Sequence, residues 1–382
     1  MNDELTDDIP PWELFDYIQY RGEYPPCIIV QDGWQEDDHS SILTKKNAIS
    51  RFEDANEWEL RKKITNPYEA IFSTSDTKSF PSIAIVTPLS RSYFKMVEMV
   101  YISRLWESVT SPFTSAHVCE GPGGFLQCIV EQAKCKGIPY KNSYAMTLKS
   151  TKSQIPGWKR SSRFLKKHSE IQLLYGSDMT GNILSKENQD FFCARAKDAM
   201  IFTADGGFDF STDYAKQEEN SFLLVLASFY IGLRCLKEGG IIVIKLFDIY
   251  SPVMVDLIVG TGATFDSFLV YKPATSRPCN SERYFIGKGY KGTEAAREWI
   301  EHLEKAQRKH LERPLTRLCA IAADSPYVTA IKEQIQWQED LQIKHIERAM
   351  GMEKEDIETH VKDALEKSVE WCTTFCVPYS LL

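Results

Sequence analysis

Lys245 is the residue hardest to explain by packing alone. It interrupts the apolar run Ile241, Ile242, Val243, Ile244 and Leu246, which reads as a strand over 241–246 buried on both faces. An ammonium there loses hydration, and a carboxylate partner or a chemical role must offset that cost. Asp205 is available: it ends the apolar stretch 199–204 and is followed by Gly206 and Gly207. If the two strands are neighbours, their ends meet, and the pair is then either a structural ion pair or a catalytic one. Lys95, in an amphipathic stretch from Arg91, and Glu282, ahead of the last apolar strand, are two further groups of the same kind. Alone, Lys95 reads as a solvated helix position and Glu282 as an edge-strand charge. Gathered around one turn, two lysines and two carboxylates would tune each other's proton affinities, as at catalytic centres.

That turn is Gly121-Pro122-Gly123-Gly124-Phe125, between a strand over 116–120 and a helix opening near Phe125. Glycines there let backbone amides approach a ligand. No Gly-Lys-Ser/Thr follows and the GxGxxG spacing is absent, which disfavours a phosphate cradle and a nicotinamide dehydrogenase.

The elements that must position these groups alternate. Strands are expected at 116–120, 144–148, 171–175, 199–204 and 241–246, with a long helix at 218–236 closed by Gly239 and Gly240. A helix at 252–260 and strands at 264–271 and 283–287 follow. Such alternation predicts an α/β sheet with helices on both faces, where ligands bind beyond the carboxyl ends of the strands. Before it, residues 1–89 read as a mixed N-terminal extension, with a short helix over 56–63 and a strand over 82–86. After it, residues 293–382 read as a separate helical region, with helices at 294–313, 326–350 and 353–371.

Composition narrows the function classes. The chain has 382 residues, of which 26% are charged and 43% hydrophobic, the profile of a folded globular protein. Its apolar stretch 222–233 is too short to span a bilayer. Asp3, Glu4, Asp7 and Asp8 near the start are the opposite of a secretory or transit signal. The ten cysteines form no CxxC pair, so no metal site is expected and the thiols read as reduced. The net charge of −8 hides a basic centre: 134–169 holds ten Lys and Arg (Lys134, Lys136, Lys141, Lys149, Lys152, Lys159, Arg160, Arg163, Lys166, Lys167) and no acid. That segment is either a solvated surface or a polyanion contact whose affinity falls with salt.

Five segments carry a resemblance: Ser90-Arg91-Ser92-Tyr93-Phe94-Lys95-Met96, His117-Val118-Cys119-Glu120-Gly121-Pro122-Gly123-Gly124-Phe125, Thr203-Ala204-Asp205-Gly206-Gly207-Phe208, Val243-Ile244-Lys245-Leu246-Phe247, and the run from Lys272-Pro273 through Ser276-Arg277 to Glu282-Arg283-Tyr284. In order and spacing they resemble the motifs of the FtsJ-type ribose 2′-O-methyltransferases over 90–292. Within that family they are most similar to the mRNA cap-specific enzymes of eukaryotes and large DNA viruses. The resemblance implies a Rossmann-like methyltransferase sheet, S-adenosylmethionine as cofactor, and a Lys-Asp-Lys-Glu tetrad of Lys95, Asp205, Lys245 and Glu282. It implies that Cys119, Glu120, Gly121, Pro122, Gly123, Gly124 and Phe125 hold the methionine part, with Asp205 nearby. It places Thr147 by the ribose, and Asp178 or Asn182, with Ile183, by the adenine. Asn182 stands where members usually carry Asp, and His117 where an Asp often precedes the turn. Arg91, Ser276, Arg277 and Asn280 resemble substrate-RNA contacts.

Capped RNA, and other capping or transcription proteins, are the implied partners. The implied location is cytoplasm or nucleus, viral cytoplasmic factories included, and not a membrane. Two other functions keep the fold: methylation of rRNA or tRNA, or an idle RNA-binding subunit. Lys245 is expected either to take the ribose proton through a depressed pKa or to stabilise an alkoxide as a cation. Tyr68, Phe72 and Phe80 are candidates to stack on a cap guanine, though each reads more readily as core.

Overall fold

The computed structural model describes residues 10–14, 16–49, 52, 55–73, 82–109, 112–149, 157–207 and 216–381. Along the chain, the N-terminal part forms β1 (Ile18–Gln19), β2 (Cys27–Val30), α1 (Ser40–Ala48) and α2 (Ala55–Ile64). The central part forms α3 (Ser92–Ser103), α4 (Leu105–Ser108), β3 (Phe113–Val118), α5 (Gly124–Cys135), β4 (Tyr140–Met146), α6 (Ser162–Lys167), β5 (Ile171–Leu174), α7 (Lys186–Arg195) and β6 (Ala199–Ala204). It continues with α8 (Gln217–Cys235), β7 (Leu236–Leu246), α9 (Pro252–Gly262), β8 (Phe265–Tyr271) and β9 (Arg283–Tyr290). The C-terminal part adds α10 (Arg297–Glu312), β10 (Arg317–Cys319), α11 (Pro326–Gly351) and α12 (Ile357–Thr374).

The main sheet runs β1-β8-β9-β7-β6-β3-β4-β5. Strands β7, β6, β3, β4 and β5 are mutually parallel, and β9 is antiparallel to both β7 and β8. Chain order reverses at β3, so the crevice beyond the carboxyl ends of β3 and β6 is the switch point where α/β sheets bind ligands. The turn at 119–124 and Asp205 leave the sheet at that crevice.

Side-chain alternation decides which groups share a face. On β7, Ile242, Ile244 and Leu246 enter one core with α8, α9 and α10. Ile241 and Val243 enter the other, with Phe94 and Met96 of α3, Phe125 and Ile129 of α5, and Trp371 of α12. Lys245 has the parity of Ile241 and Val243, and its ladder partner Tyr284 is in that second core. The lysine is therefore aimed toward α3, the helix that carries Lys95.

Several expectations need correction. Gly239 and Gly240 do not close the long helix. α8 ends at Cys235, the chain becomes extended at Leu236, and both glycines lie within β7, Gly239 at φ 77°. The apolar residues at 82–86 form no strand beyond one bridge, Ala84 to Tyr379. Nor is the C-terminal part purely helical or set apart, since β10 pairs with β2 of the N-terminal part. Trp371 and Phe375 share the second core with Tyr68 and Ile71.

At the β8 edge, β1 pairs with Ser267 and Phe268, and Tyr20 N donates to Asp266 O at 3.1 Å. Beyond it, Gln334 Oε1 of α11 accepts from Val270 N at 3.2 Å and Gln338 Nε2 donates to Val270 O at 2.8 Å. Among the described residues, no helix is long and apolar enough to cross a membrane, and no group of three or more His, Cys, Asp or Glu could hold a metal ion.

Candidate active site

The four charged side chains meet. Lys245 Nζ is 3.1 Å from Glu282 Oε2 and 3.5 Å from Asp205 Oδ1. Lys95 Nζ is 2.5 Å from Glu282 Oε1. Glu282 thus bridges the two ammonium groups, and Asp205 flanks the one on β7. Their side chains are 12–17% exposed, a partial access that a reacting group requires. Tyr284 completes the cluster, its Oη donating to Asp205 Oδ1 at 3.0 Å. Its signal in the sequence was positional: it lies two residues after Glu282, near the start of β9, and alternation turns it to the same side.

Charge coupling fixes the protonation states. Burial opposes the charged form of Lys245, but Glu282 and then Asp205 outweigh it and raise its pKa above that of an ordinary lysine. Burial likewise disfavours the Glu282 carboxylate, yet Lys95 and Lys245 hold its pKa well below the usual range. The depressed Lys245 pKa expected from desolvation is reversed here, because two carboxylates lie within 3.5 Å.

The glycine turn abuts this cluster. A Cβ on Gly206 would lie 3.1 Å from Cys119 Cβ, and one on Gly207 would lie 3.5 Å from Lys245 Nζ. Gly123 caps α5 at φ 107°, a conformation that favours glycine. A Cβ on Gly124 would collide with the Ser90 and Ser92 hydroxyls. Phe125 is buried and its ring centroid is 5.7 Å from that of Tyr284. Ser161 donates to Pro122 O, which brings the segment before α6 against the turn.

Whether S-adenosylmethionine fits is tested by Glu120. Its Oε1 accepts from Leu126 N at 2.9 Å, while the buried Oε2 has no hydrogen-bond partner among the described residues. Burial first, and Asp205 second, push its pKa well above the carboxylate range. A buried carboxyl at the start of a helix, with an unmet acceptor, is complementary to an ammonium group. The cofactor carries one on its methionine part, so the residues fit it.

The expected adenine side is a loop tied by Asn188, which sequence reading passed over. This buried side chain accepts through Oδ1 from Ser177 N at 2.8 Å, and donates through Nδ2 to Asp178 Oδ1 at 2.9 Å and to Asn182 O at 3.0 Å. Asp178 also accepts from Thr180 N at 2.9 Å, and Asn182 Oδ1 from Leu184 N at 3.0 Å. Thr147 is buried at the end of β4, where a Cβ on Gly181 would collide with its carbonyl. Ile183 is buried in the first core. Thr147, Asp178 and Asn182 are therefore neighbours. His117, mid-sheet, bonds Thr203 Oγ1 and Ser115 Oγ at 2.7 Å each, and burial depresses its pKa to about 3. It is a neutral, sealed group.

The residues expected to touch RNA divide. Ser276 Oγ donates to Glu282 Oε1 at 3.1 Å and so belongs to the cluster. Arg277 makes a two-pronged contact with Glu69 at 3.0 and 3.1 Å. Arg91 lies 3.4 Å from the same carboxylate and donates to the carbonyls of Phe72, Tyr68 and Thr275. Glu69 is 0% exposed and was not foreseen. Asn280 closes a turn, its N bonding Arg277 O at 3.0 Å.

Nine of the ten basic residues of 134–169 are described, and all nine are exposed. Lys134, Lys136 and Lys141 sit where β4 begins, at the end of the sheet away from the cluster. Lys149, Lys159, Arg160 and Arg163 follow the carboxyl end of β4, on the cluster's side. Tyr68 is buried against Trp12, and Phe72 packs on Phe94. Tyr68 is a core side chain, and Phe72 is half-buried against that core. Phe80, Lys152, Phe208 and the acidic residues 3–8 lie outside the described residues.

Known proteins are similar to the part of the chain that carries this cluster. Residues 88–290 match the family model described as FtsJ-like methyltransferase. The chain is 30% identical over 226 residues to a protein of Trypanosoma brucei brucei named cap-specific mRNA (nucleoside-2′-O-)-methyltransferase 1, a match covering 56% of this chain and 59% of that one. Proteins of the same name match from Trypanosoma cruzi (27% identical, 68% of this chain and 74% of that one) and Mus musculus (30% identical, 69% and 32%). The chain thus spans between a third and three quarters of the length of these relatives.

Proposed function

The chain belongs to the FtsJ-like methyltransferase family, and we propose that it methylates the ribose 2′-hydroxyl of a cap-proximal nucleotide of capped RNA with S-adenosylmethionine as donor. The observation that carries this reading is the Lys95–Glu282–Lys245–Asp205 cluster set against the glycine turn. The names of the relatives support the cap as the substrate's mark.

When bound, the cofactor supplies an electrophilic methyl group on a sulfonium. Glu120 and the turn 119–125 would hold its methionine part, with Thr147, Asp178, Asn182 and Ile183 toward the nucleoside. A ribose hydroxyl is a poor nucleophile near neutral pH, and transfer requires it on the displacement axis. Lys95 and Lys245, bridged by Glu282, present two cations to that oxygen. A charged Lys245 stabilises the developing alkoxide. To take the hydroxyl proton itself, Lys245 must first give up to solvent the proton that Glu282 and Asp205 stabilise on it. A cation bound beside Asp205 favours that release. Tyr284 orients Asp205 for this task. Lys149, Lys159, Arg160 and Arg163 offer positive charge to RNA phosphates on the same side, contacts that add affinity with little sequence information.

The test is labelled methyl transfer to short capped and uncapped RNAs, with the modified nucleotide mapped. Transfer to a cap-proximal ribose, lost without the cap, is the expected result. Transfer to structured rRNA or tRNA instead replaces the substrate, and binding without transfer to any RNA overturns the enzymatic reading.

A further inference from the structure

Glu282 stands just outside the sheet that should fix it. The β7–β9 ladder ends at the pair Leu246 and Arg283, so the glutamate lies one residue past the last backbone tie. Its contact with Lys245 still depends on where that end sits. Two interior groups hold the segment from its own domain: Lys272 Nζ donates to Glu282 O at 3.0 Å and also to Asn280 O, and Ser276 reaches the carboxylate. A third holder comes from α1, outside the family match at 88–290.

Lys46 of α1 places its Nζ 2.7 and 2.8 Å from the two Asp248 carboxylate oxygens, 3.0 Å from Ser281 Oγ and 3.2 Å from Tyr250 Oη. Asp248 is the third residue after Lys245, where the chain leaves β7. Ser281 immediately precedes Glu282. One ammonium therefore joins the two strand ends that carry the reacting lysine and its bridging carboxylate. The site is closed, with the side chains of Lys46 and Asp248 7% and 2% exposed. Around it, Tyr250 stacks on His39 with centroids 4.0 Å apart, and Tyr250 Oη donates to Asp248 Oδ1 at 2.9 Å. Arg283, fully buried, donates to Phe247 O at 3.3 Å and faces Glu339 of α11 at 3.8 Å.

We propose that Lys46 is a positioning residue for methyl transfer: by tying Asp248 to Ser281 it sets the separation of Lys245 and Glu282, so the N-terminal helix α1 is a working part of the active site. The inference rests on the methyl-transfer reading for its kinetic test and on geometry alone for its structural one.

Ser281→Ala removes the β9 end of the tie and leaves the Lys46–Asp248 pair intact. Lys46→Met combined with Asp248→Asn removes the tie without stranding a buried charge. In the full chain, kcat is expected to fall about tenfold in the double variant and less in Ser281→Ala, since small displacements at a reacting centre carry penalties of this order. The calorimetric Kd for S-adenosylmethionine and the melting temperature of Ser281→Ala should stay at wild-type values, a split that general loosening would not give. Crystals of Ser281→Ala should show the 3.1 Å Lys245–Glu282 contact lengthened. Wild-type kcat in Ser281→Ala together with an unchanged contact overturns the proposal, whether or not the double variant folds. A wild-type chain inactive on every RNA defeats the function proposed above instead, and the crystallographic distance still decides the tie.

Discussion

Two lysine–carboxylate clusters sit one turn of chain apart and differ in their access to solvent. Around Lys245, the side chains are 12–17% exposed and the lysine shares its contacts with Asp205, Glu282 and, through Glu282, Lys95. Around Lys46, the ammonium is 7% and the carboxylate 2% exposed, and tyrosine and serine hydroxyls fill the remaining hydrogen-bond directions. The same pair of functional groups thus has two uses. With an opening, the charges can respond to a substrate. Sealed, they fix geometry, because breaking them strands an ion away from water.

The largest effect that could break this contrast is in the open cluster. Lys245→Ala should lower methyl transfer by about a thousandfold, within the range for a group acting directly on proton or charge. S-adenosylmethionine binding, measured by calorimetry, should persist. Retained turnover would remove Lys245 from the chemistry.

The sealed cluster should answer in stability. Asp248→Ala leaves Lys46 buried without its carboxylate, and urea unfolding should show a loss of about 3–5 kcal/mol. A loss below about 1 kcal/mol, the scale of exposed pairs, would mean that the two clusters do not differ.

A smaller effect sharpens the rule for sealed groups. His117 has a folded pKa near 3 against 6.5 in its ordinary state, so its neutral form contributes stability that is fully present above pH 6.5. That contribution is lost as pH falls toward 3, at about 1.4 kcal/mol per unit. His117→Gln should flatten the dependence between pH 6 and 4 in denaturant titrations. An unchanged slope would show that other groups carry it.

The open cluster was legible in the sequence because its members stand in or beside elements that periodicity finds: Lys95 in an amphipathic helix, Asp205 after an apolar strand, Lys245 inside one, Glu282 before one. The supports were not. Lys45 and Lys46 are adjacent and chemically identical, yet Lys45 makes a surface pair with Glu347 at 2.5 Å while Lys46 is buried. Only tertiary packing separates them. Glu69 and Gln334 act through partners distant in sequence, Asn188 gathers a loop six to eleven residues before it, and a polar residue in a polar stretch gives no periodic signal. The strands β1, β2 and β10 span two to four residues, too few for alternation to register. The direction of the Lys245 pKa shift failed for a related reason: desolvation can be read from an apolar run, whereas the number of carboxylates that converge on it cannot.

The glutamine amides of α11 along β8 carry a consequence for the behaviour of the protein at high concentration. A strand flank with unpaired peptide groups is a template on which a second molecule can add its own strand and begin a fibre. Here side-chain amides occupy both peptide groups of Val270, so that growth point is capped from within the same chain. Replacing both glutamines with leucine would keep the helix and bare the template, and light scattering should then show more self-association than in the wild-type chain.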